Sequence, residues 1–248
     1  MLDSSYNIST NTSPLSGFSR ETYDSREAWL LGRGSILGST GASDAAARMG
    51  LSPWETIDDL YSRSIGLKPP KDLSNNAAVQ FGVEAEEHIR RLVALDLMTT
   101  YKVENHPFDI LRMNAKPWIF ATLDGELMRY SDYLKGGLEI KTGSFRNEKD
   151  LEDWKNGMPL HYYAQVCQQL LVTGWQYWLV VARLKRMPFK EDPVTALPDI
   201  RCFYRYVDAA DKDVQESMHA IEENADMFHD CVINRRRPST TINYKSRR

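Results

Sequence analysis

Between residues 101 and 143 the chain alternates apolar and polar residues in steps of two, while the segments on either side repeat their apolar residues every three or four positions. A block of strand period bracketed by helix period admits few architectures, and it makes the chain an α/β or α+β protein. The block divides at Asn, Pro, Lys and Gly-Gly signals into three extended runs, 102–110, 116–130 and 132–143, which predict successive strands of one antiparallel meander. Upstream, residues 79–97 place Val83, Ile89, Leu92, Val93 and Leu95 in helical register. Three shorter helices precede it: 25–33 with Trp29 and Leu30 inward, one capped by Ser43 or Asp44 that stops at Gly50, and 52–66 with Pro53 in its first turn and Trp54, Ile57, Leu60 and Tyr61 inward. Downstream, helices over 150–157 and 159–174 lead to strands at 175–184 and 200–208 and a final helix over 212–234.

No repeat or linker interrupts this series, and 248 residues with 42% hydrophobic content suffice for one packed core. The expected organisation is a flexible arm over 1–20, rich in Ser, Thr and Asn, a single domain over 21–234 and a basic tail over 235–248. Three scattered cysteines fit a reducing cytosol and argue against a disulfide framework. The start of the chain lacks a basic n-region and an apolar h-region, and no stretch approaches 18 uninterrupted apolar residues, which argues against secretion and membrane spanning. With 31 Lys plus Arg against 34 Asp plus Glu, a net charge of −3, any contact with a polyanion must come from local clusters. Arg90-Arg91, Lys185-Arg186, Arg235 to Arg237 and Arg247-Arg248 are those clusters.

The chemistry concentrates at Asp124 and at Glu139-Ile140-Lys141. Residues i and i+2 of a strand share a face, so Glu139 and Lys141 stand side by side while Leu138 and Ile140 turn inward. Asp124, beside Gly125 at the end of the preceding strand, reaches the same spot if the two strands pair. Two converging carboxylates make an oxygen-rich site for a hard divalent cation such as Mg²⁺, and an adjacent ammonium can orient a water or steady the charge that develops on a phosphorane. Asp132 and Glu126 compete with Asp124 as ligand. Other chemistries fail on their essential residues. The glycine-rich 32–41 segment has no G-K-[ST] and follows no clear strand, which removes a P-loop and a dinucleotide fold. The five histidines show no metal spacing and the cysteines no cluster spacing. Trp175, Tyr177 and Trp178 read as sheet aromatics, with base stacking as their alternative role.

Taken in order, GRGSILGSTGASDAAARMGLSPW, FGVEAEE, DG, LEIKT and YYAQVCQQLLVTG resemble the YqaJ and lambda-exonuclease family of PD-(D/E)xK nucleases, over roughly residues 29–181. The resemblance implies a restriction-endonuclease-like core, a central mixed sheet flanked by helices. It makes Asp124 and Glu139 metal-binding carboxylates, adds the backbone carbonyl of Ile140 and a glutamate at Glu86 with Glu84 and Glu87 as rivals, and makes Lys141 the catalytic lysine. Gln165 supports the attacking water or the lysine, or else satisfies a backbone group. Arg33 and Ser43 occupy the positions that grip a 5′-phosphate, against plainer roles as surface charge and N-cap. The customary proline before the first aspartate is Leu123 here. The implied activity is a Mg²⁺-dependent (or Mn²⁺-dependent) exonuclease that degrades one strand of linear double-stranded DNA 5′ to 3′ and leaves a 3′ strand for annealing-type recombination. An endonuclease or nickase on the same core, or a catalytically silent DNA-end-binding protein, are the alternatives. The implied partners are DNA ends, a single-strand annealing protein and two further copies of the chain in a homotrimer, in the cytoplasm of a bacterial or phage-infected cell.

Overall fold

The computed structural model describes residues 9–11, 17–69, 75–189 and 197–239. In chain order the elements are β1 (Ser9–Asn11), β2 (Phe18–Thr22), α1 (Arg26–Arg33), β3 (Thr40–Gly41), α2 (Ala45–Arg48), α3 (Ile57–Ser64), α4 (Ala77–Asp96), β4 (Tyr101–Glu104), β5 (Asp109–Met113), β6 (Ile119–Ala121), β7 (Gly125–Arg129) and β8 (Lys135–Phe145). Then come α5 (Glu152–Lys155), α6 (Leu160–Thr173), β9 (Tyr177–Arg186), β10 (Ile200–Asp208) and α7 (Lys212–Ile233).

The strands form two mixed sheets, ordered β10-β9-β8-β7-β4 and β1-β2-β5-β6-β3. The first is the central mixed sheet, with β8 and β9 parallel and its other pairs antiparallel. Its two faces are covered by different helices. Trp178, Val180, Ala182 and Leu184 of β9 pack with Ala164, Cys167 and Leu170 of α6, while Tyr177, Leu179 and Val181 pack with Ile89 and Val93 of α4. A strand buried on both faces needs apolar residues at every position, which is why 177–182 is a nearly continuous apolar run. Each fully buried Leu, Val or Ile here contributes about 1.5–3 kcal/mol.

The meander expectation is corrected. Each of the first two extended runs breaks in the middle: β4 and β7 join the central sheet, whereas β5 and β6 leave it for the second sheet. The chain turns between β4 and β5 through Phe108 at φ 66°, a left-handed position that period counting does not register. The Gly136-Gly137 pair, expected as a loop signal, lies inside β8 opposite Tyr177 and Trp178. A Cβ on Gly136 would fall within the Tyr177 ring, and one on Gly137 within the Trp178 indole. The bare backbone there is what lets two large rings lie flat on a parallel strand.

Other boundaries shift for local reasons. The expected arm over 1–20 is ordered at its end, because β2 pairs with β5 from Phe18↔Met113 to Thr22↔Asp109; residues 1–8 and 12–16 lie outside the described residues, as do 240–248 of the tail. In the described part of the tail Arg237 pairs with Asp58 at 2.8 Å, and Arg236 with Asp230. Helix α1, capped by Ser25, buries Ala28 and Gly32; Trp29 turns inward as expected, half-buried against the cluster of Phe120 and Ile110, but Leu30 is exposed, against expectation. Helix α3 starts at Ile57 behind a Thr56–Asp59 capping box, so Trp54 lies outside it and is exposed. In α4, capped by Asn76, Ile89 and Val93 face the core while Val83, Leu92 and Leu95 stay exposed.

One buried polar network ties the two ends of the chain to α6. Arg48, 1% exposed, donates to Asn224 Oδ1 of α7 (3.2 Å) and to Gln168 of α6. Gln168 in turn donates to the carbonyls of Thr40 (3.0 Å) and Phe120 (3.1 Å), at the parallel junction of β3 and β6. Burial pushes the Arg48 guanidinium down to about 10, with the negative charges of Asp44 and Asp226 acting against that shift.

Candidate active site

Strand β7 begins at Gly125, paired with Leu138, so beyond Leu138 that edge of β8 has no β7 partner. Asp124 sits at this edge, where its Oδ2 accepts the Ile140 amide at 2.7 Å. The N–H and C=O of one strand residue point to the same neighbour, so the Ile140 carbonyl faces the same open edge.

Glu139 and Lys141 share the face of β8 that looks at α6. The Lys141 ammonium donates to Glu139 Oε1 at 2.5 Å and to Gln165 Oε1 at 3.0 Å. The Gln165 amide donates to the same Glu139 Oε1 at 2.6 Å, so its recorded partners are these two side chains rather than a backbone group. Sequence reasoning missed Gln169, one turn further along α6. Its Nε2 donates to Glu139 Oε2 at 2.5 Å and to the Thr122 carbonyl at 3.2 Å. The signal was available, because Gln165 and Gln169 are four apart and therefore on one helix face. The Glu139–Lys141 face is not the open one the alternation suggested: Glu139 is 2% exposed and both its oxygens have donors.

Helix α4 crosses the opposite face and brings Glu86 to the same edge, within electrostatic reach of Glu139 and Lys141. Of the three glutamates weighed from the sequence, Glu84 is exposed and Glu87 pairs outward with Arg91, whereas Glu86 is half-buried. Arg90, a second residue that sequence reasoning left among the surface charges, is buried. It donates to the Asp124 carbonyl and to Glu86, bracing the helix against the turn. The other rivals fall away: Asp132 is held by Arg129 at 2.6 Å, and Glu126 by Arg20 at 2.5 Å.

Burial, reinforced by the Glu139 and Glu86 charges, pushes the Asp124 carboxyl well above the usual range. Glu86 is raised by burial and Glu139, although Arg90 works to lower it. Burial works to lower Lys141, but Glu139 and Asp124 outweigh it and hold the ammonium above its ordinary value. Among the described residues no three His, Cys, Asp or Glu side chains are assembled at metal-holding distances, since the carboxylates are turned to Arg90, Lys141, Gln165, Gln169 and the Ile140 amide. The chemistry of the donors nevertheless fits a hard divalent cation: carboxylate and carbonyl oxygens only, with more negative charge than Lys141 and Arg90 neutralise.

Arg33 ends α1 with its guanidinium 4.8 Å from the Trp29 ring centre and 5.8 Å from that of Phe120, and it reaches Ser43 Oγ at 3.4 Å. Burial lowers it, against the pull of Asp44. Ser43 is exposed in a 3₁₀ turn, and Asp44 rather than Ser43 holds the N-cap position of α2. Phe120 precedes Asp124 by only four residues, about 13 Å of extended chain. Trp175, Tyr177 and Trp178 are all buried, so none offers a stacking face.

Residues 28–176 match the family described as the YqaJ-like viral recombinase domain. The uncharacterized protein YqaJ of Bacillus subtilis (strain 168) is 31% identical over 153 residues, which is 62% of this chain and 44% of that protein. The chain thus spans less than half the length of this relative. Among solved structures, the alkaline exonuclease LHK-Exo of Laribacter hongkongensis is similar with a TM-score of 0.50 at 21% identity, covering 84% of this chain and 97% of that one. Its complex with dAMP aligns with a TM-score of 0.51 at 20% identity over the same shares. At these identities the likeness establishes the fold, a mixed α/β architecture shared with these structures.

Proposed function

This chain belongs to the family of YqaJ-like viral recombinase domains, and from that premise we propose that it is a divalent-metal-dependent exonuclease degrading one strand of linear double-stranded DNA 5′ to 3′. The observation that carries the reading is the convergence of Asp124, Glu139 and Lys141 at one open strand edge, with Gln165 bonded to two of them. The similarity to an alkaline exonuclease, one structure of which holds dAMP, supports DNA as the substrate class. Residues 21–234 act as one nuclease domain. In this reading the 3′ strand left behind goes to a single-strand annealing protein, the chain works as a homotrimer, and it does so in the cytoplasm; no helix among the described residues is long and apolar enough to cross a membrane.

Asp124, Glu139 and the Ile140 carbonyl would hold Mg²⁺ or Mn²⁺, with Glu86 completing the set. When bound, such an ion activates water and neutralises charge on the phosphate. The residues of the chain do the rest. Lys141, kept protonated by Glu139 and Asp124, orients the attacking water and meets negative charge on the phosphate oxygens. Gln165 fixes the lysine's direction through its carbonyl oxygen. Arg33 and Ser43 grip the 5′-phosphate, the guanidinium through a charge-assisted fork.

Purified protein with Mg²⁺ is expected to digest linear duplex DNA, faster from 5′-phosphorylated than from 5′-hydroxyl ends, and to leave closed circular duplex intact. Lys141→Ala should bind DNA without cutting it. Cutting of the circle would make the protein an endonuclease, and no metal-dependent cutting of either form would leave an end-binding module.

A further inference from the structure

Of the six tryptophans, only Trp54 is exposed, at 62% of its surface. It is not a loose ring. Ser52 Oγ accepts both the Trp54 and Glu55 amides at 3.2 Å, which fixes the turn. The indole meets His161 nearly at right angles (85°, centroids 4.8 Å apart) and Tyr162 at 6.3 Å. Tyr162 in turn lies 4.8 Å from the Lys141 ammonium. The exposed indole is therefore two ring contacts from the lysine of the candidate active site.

The same turn is tied to the other functional pair. Glu55 holds Arg63 at 3.0 Å, Arg63 holds Asp44 at 3.3 Å, and Asp44 Oδ2 accepts the Gly41 amide at 2.9 Å, bracing the turn that carries Ser43. Trp54 is thus linked on one side to the Arg33–Ser43 pair and on the other to Lys141. Beside it stand Ser52 and His161, with Glu55 turned away to Arg63, and these polar neighbours suit a ligand with an aromatic face and polar edges better than an apolar protein segment.

Resting on the nuclease reading above, we infer that Trp54 is a stacking platform for a nucleobase at the end of the DNA strand whose phosphate lies at Lys141. A base offers a π-face whatever its identity, so the contact positions the strand without selecting sequence. Trp54 would hold the terminal nucleotide in register while its phosphates sit between Arg33 and Lys141.

The test uses the full chain as wild type, Trp54→Ala and Trp54→Phe. The probe is a hairpin duplex with one blunt 5′-phosphorylated end, carrying a base or an abasic tetrahydrofuran residue at the first, second or third position of the 5′ strand. Binding is read by fluorescence anisotropy in Ca²⁺, and cutting separately in Mg²⁺. For wild type, one abasic position should weaken binding at least about fivefold. Trp54→Ala should bind intact DNA as weakly as wild type binds that abasic probe and show no further loss on it, while Trp54→Phe keeps part of the difference. The ring's exposure makes all three proteins comparable in thermal melting. Equal sensitivity of wild type and Trp54→Ala to every abasic position, with DNA still bound and cut, overturns the stacking role alone. A change of oligomeric state in Trp54→Ala with unaltered DNA binding makes the ring an interface residue and overturns it too. A wild type that neither binds nor cuts DNA overturns the nuclease reading and this inference with it.

Discussion

Replacing Gly137 with alanine adds a single methyl group, but its Cβ lands inside the indole of Trp178, a fully buried ring stacked 6.0 Å from Trp175. The backbone offers no strain to complicate the result, because Gly137 has no positive φ. The indole has nowhere to go: it packs in the cluster that includes Val180, Ala164, Cys167 and Leu170. Inserting a methyl into such packing costs about 1–3 kcal/mol, and the loss of unfolded-state freedom on Gly→Ala returns about 0.4–1 kcal/mol, leaving a net destabilisation of about 1.3 kcal/mol. For a chain of this size that corresponds to a fall in Tm of about 3–5 °C. Thermal melting and urea titration measure it directly, with Gly34→Ala as the control, since a Cβ there meets only the Leu31 carbonyl at an ordinary 3.7 Å. Gly137→Ala matching the control within about 0.5 kcal/mol would refute the claim that the Gly-Gly pair exists to seat the two rings. A large loss in Gly34→Ala would show that the contact reasoning itself is wrong.

Two further expectations come from side chains already placed. Gln169→Leu removes both donors from Glu139 Oε2 and the Thr122 carbonyl. It should weaken apparent Mg²⁺ affinity about 10–100-fold in a titration of cutting rate against metal, and an unchanged half-saturation would show that Glu139 does not need to be held. Burial pushes the Cys167 thiol up to about 12, so at pH 8 it is almost wholly protonated, whereas Cys202 is exposed. Iodoacetamide on the native protein should therefore modify Cys202 well before Cys167, read by peptide mass mapping; equal rates would mean the α6 face opens to solvent.

Much of the site was legible because its signals are local. Glu139 and Lys141 share a face by strand period alone and Asp124 follows from the antiparallel return of β7 on β8, whereas Glu86 rests on the family resemblance, with Glu84 and Glu87 as its rivals. What was not legible depends on partners distant in sequence. Nothing in the alternation of 102–130 tells β4 and β7 to take one sheet and β5 and β6 another, because period two is the same in both. The Gly-Gly pair reads as a turn until Tyr177 and Trp178 are laid across it. Gln169 and Arg90 look like ordinary polar residues on a helix until Glu139 and the Asp124 carbonyl stand opposite them. Trp54 was assigned to a core by spacing, and the Thr56 cap, which starts α3 after it, removes it from that stripe.

The Arg48 guanidinium also sets a schedule for biosynthesis. Its partners arrive late: Gln168 is 120 residues further along the chain and Asn224 is 176. The family match stops at residue 176, before α7 begins. A nascent chain that has emerged only that far has a guanidinium committed to the interior with Gln168 in place and Asn224 still unmade. Until α7 is made, helix α2 lacks one of the side-chain partners of its buried arginine, so for this contact the first fifth of the chain depends on its last helix. A premature stop between Thr173 and Asn224 would release a product with the candidate carboxylates and lysine all present and an interior charge short of a partner, a good substrate for proteolysis.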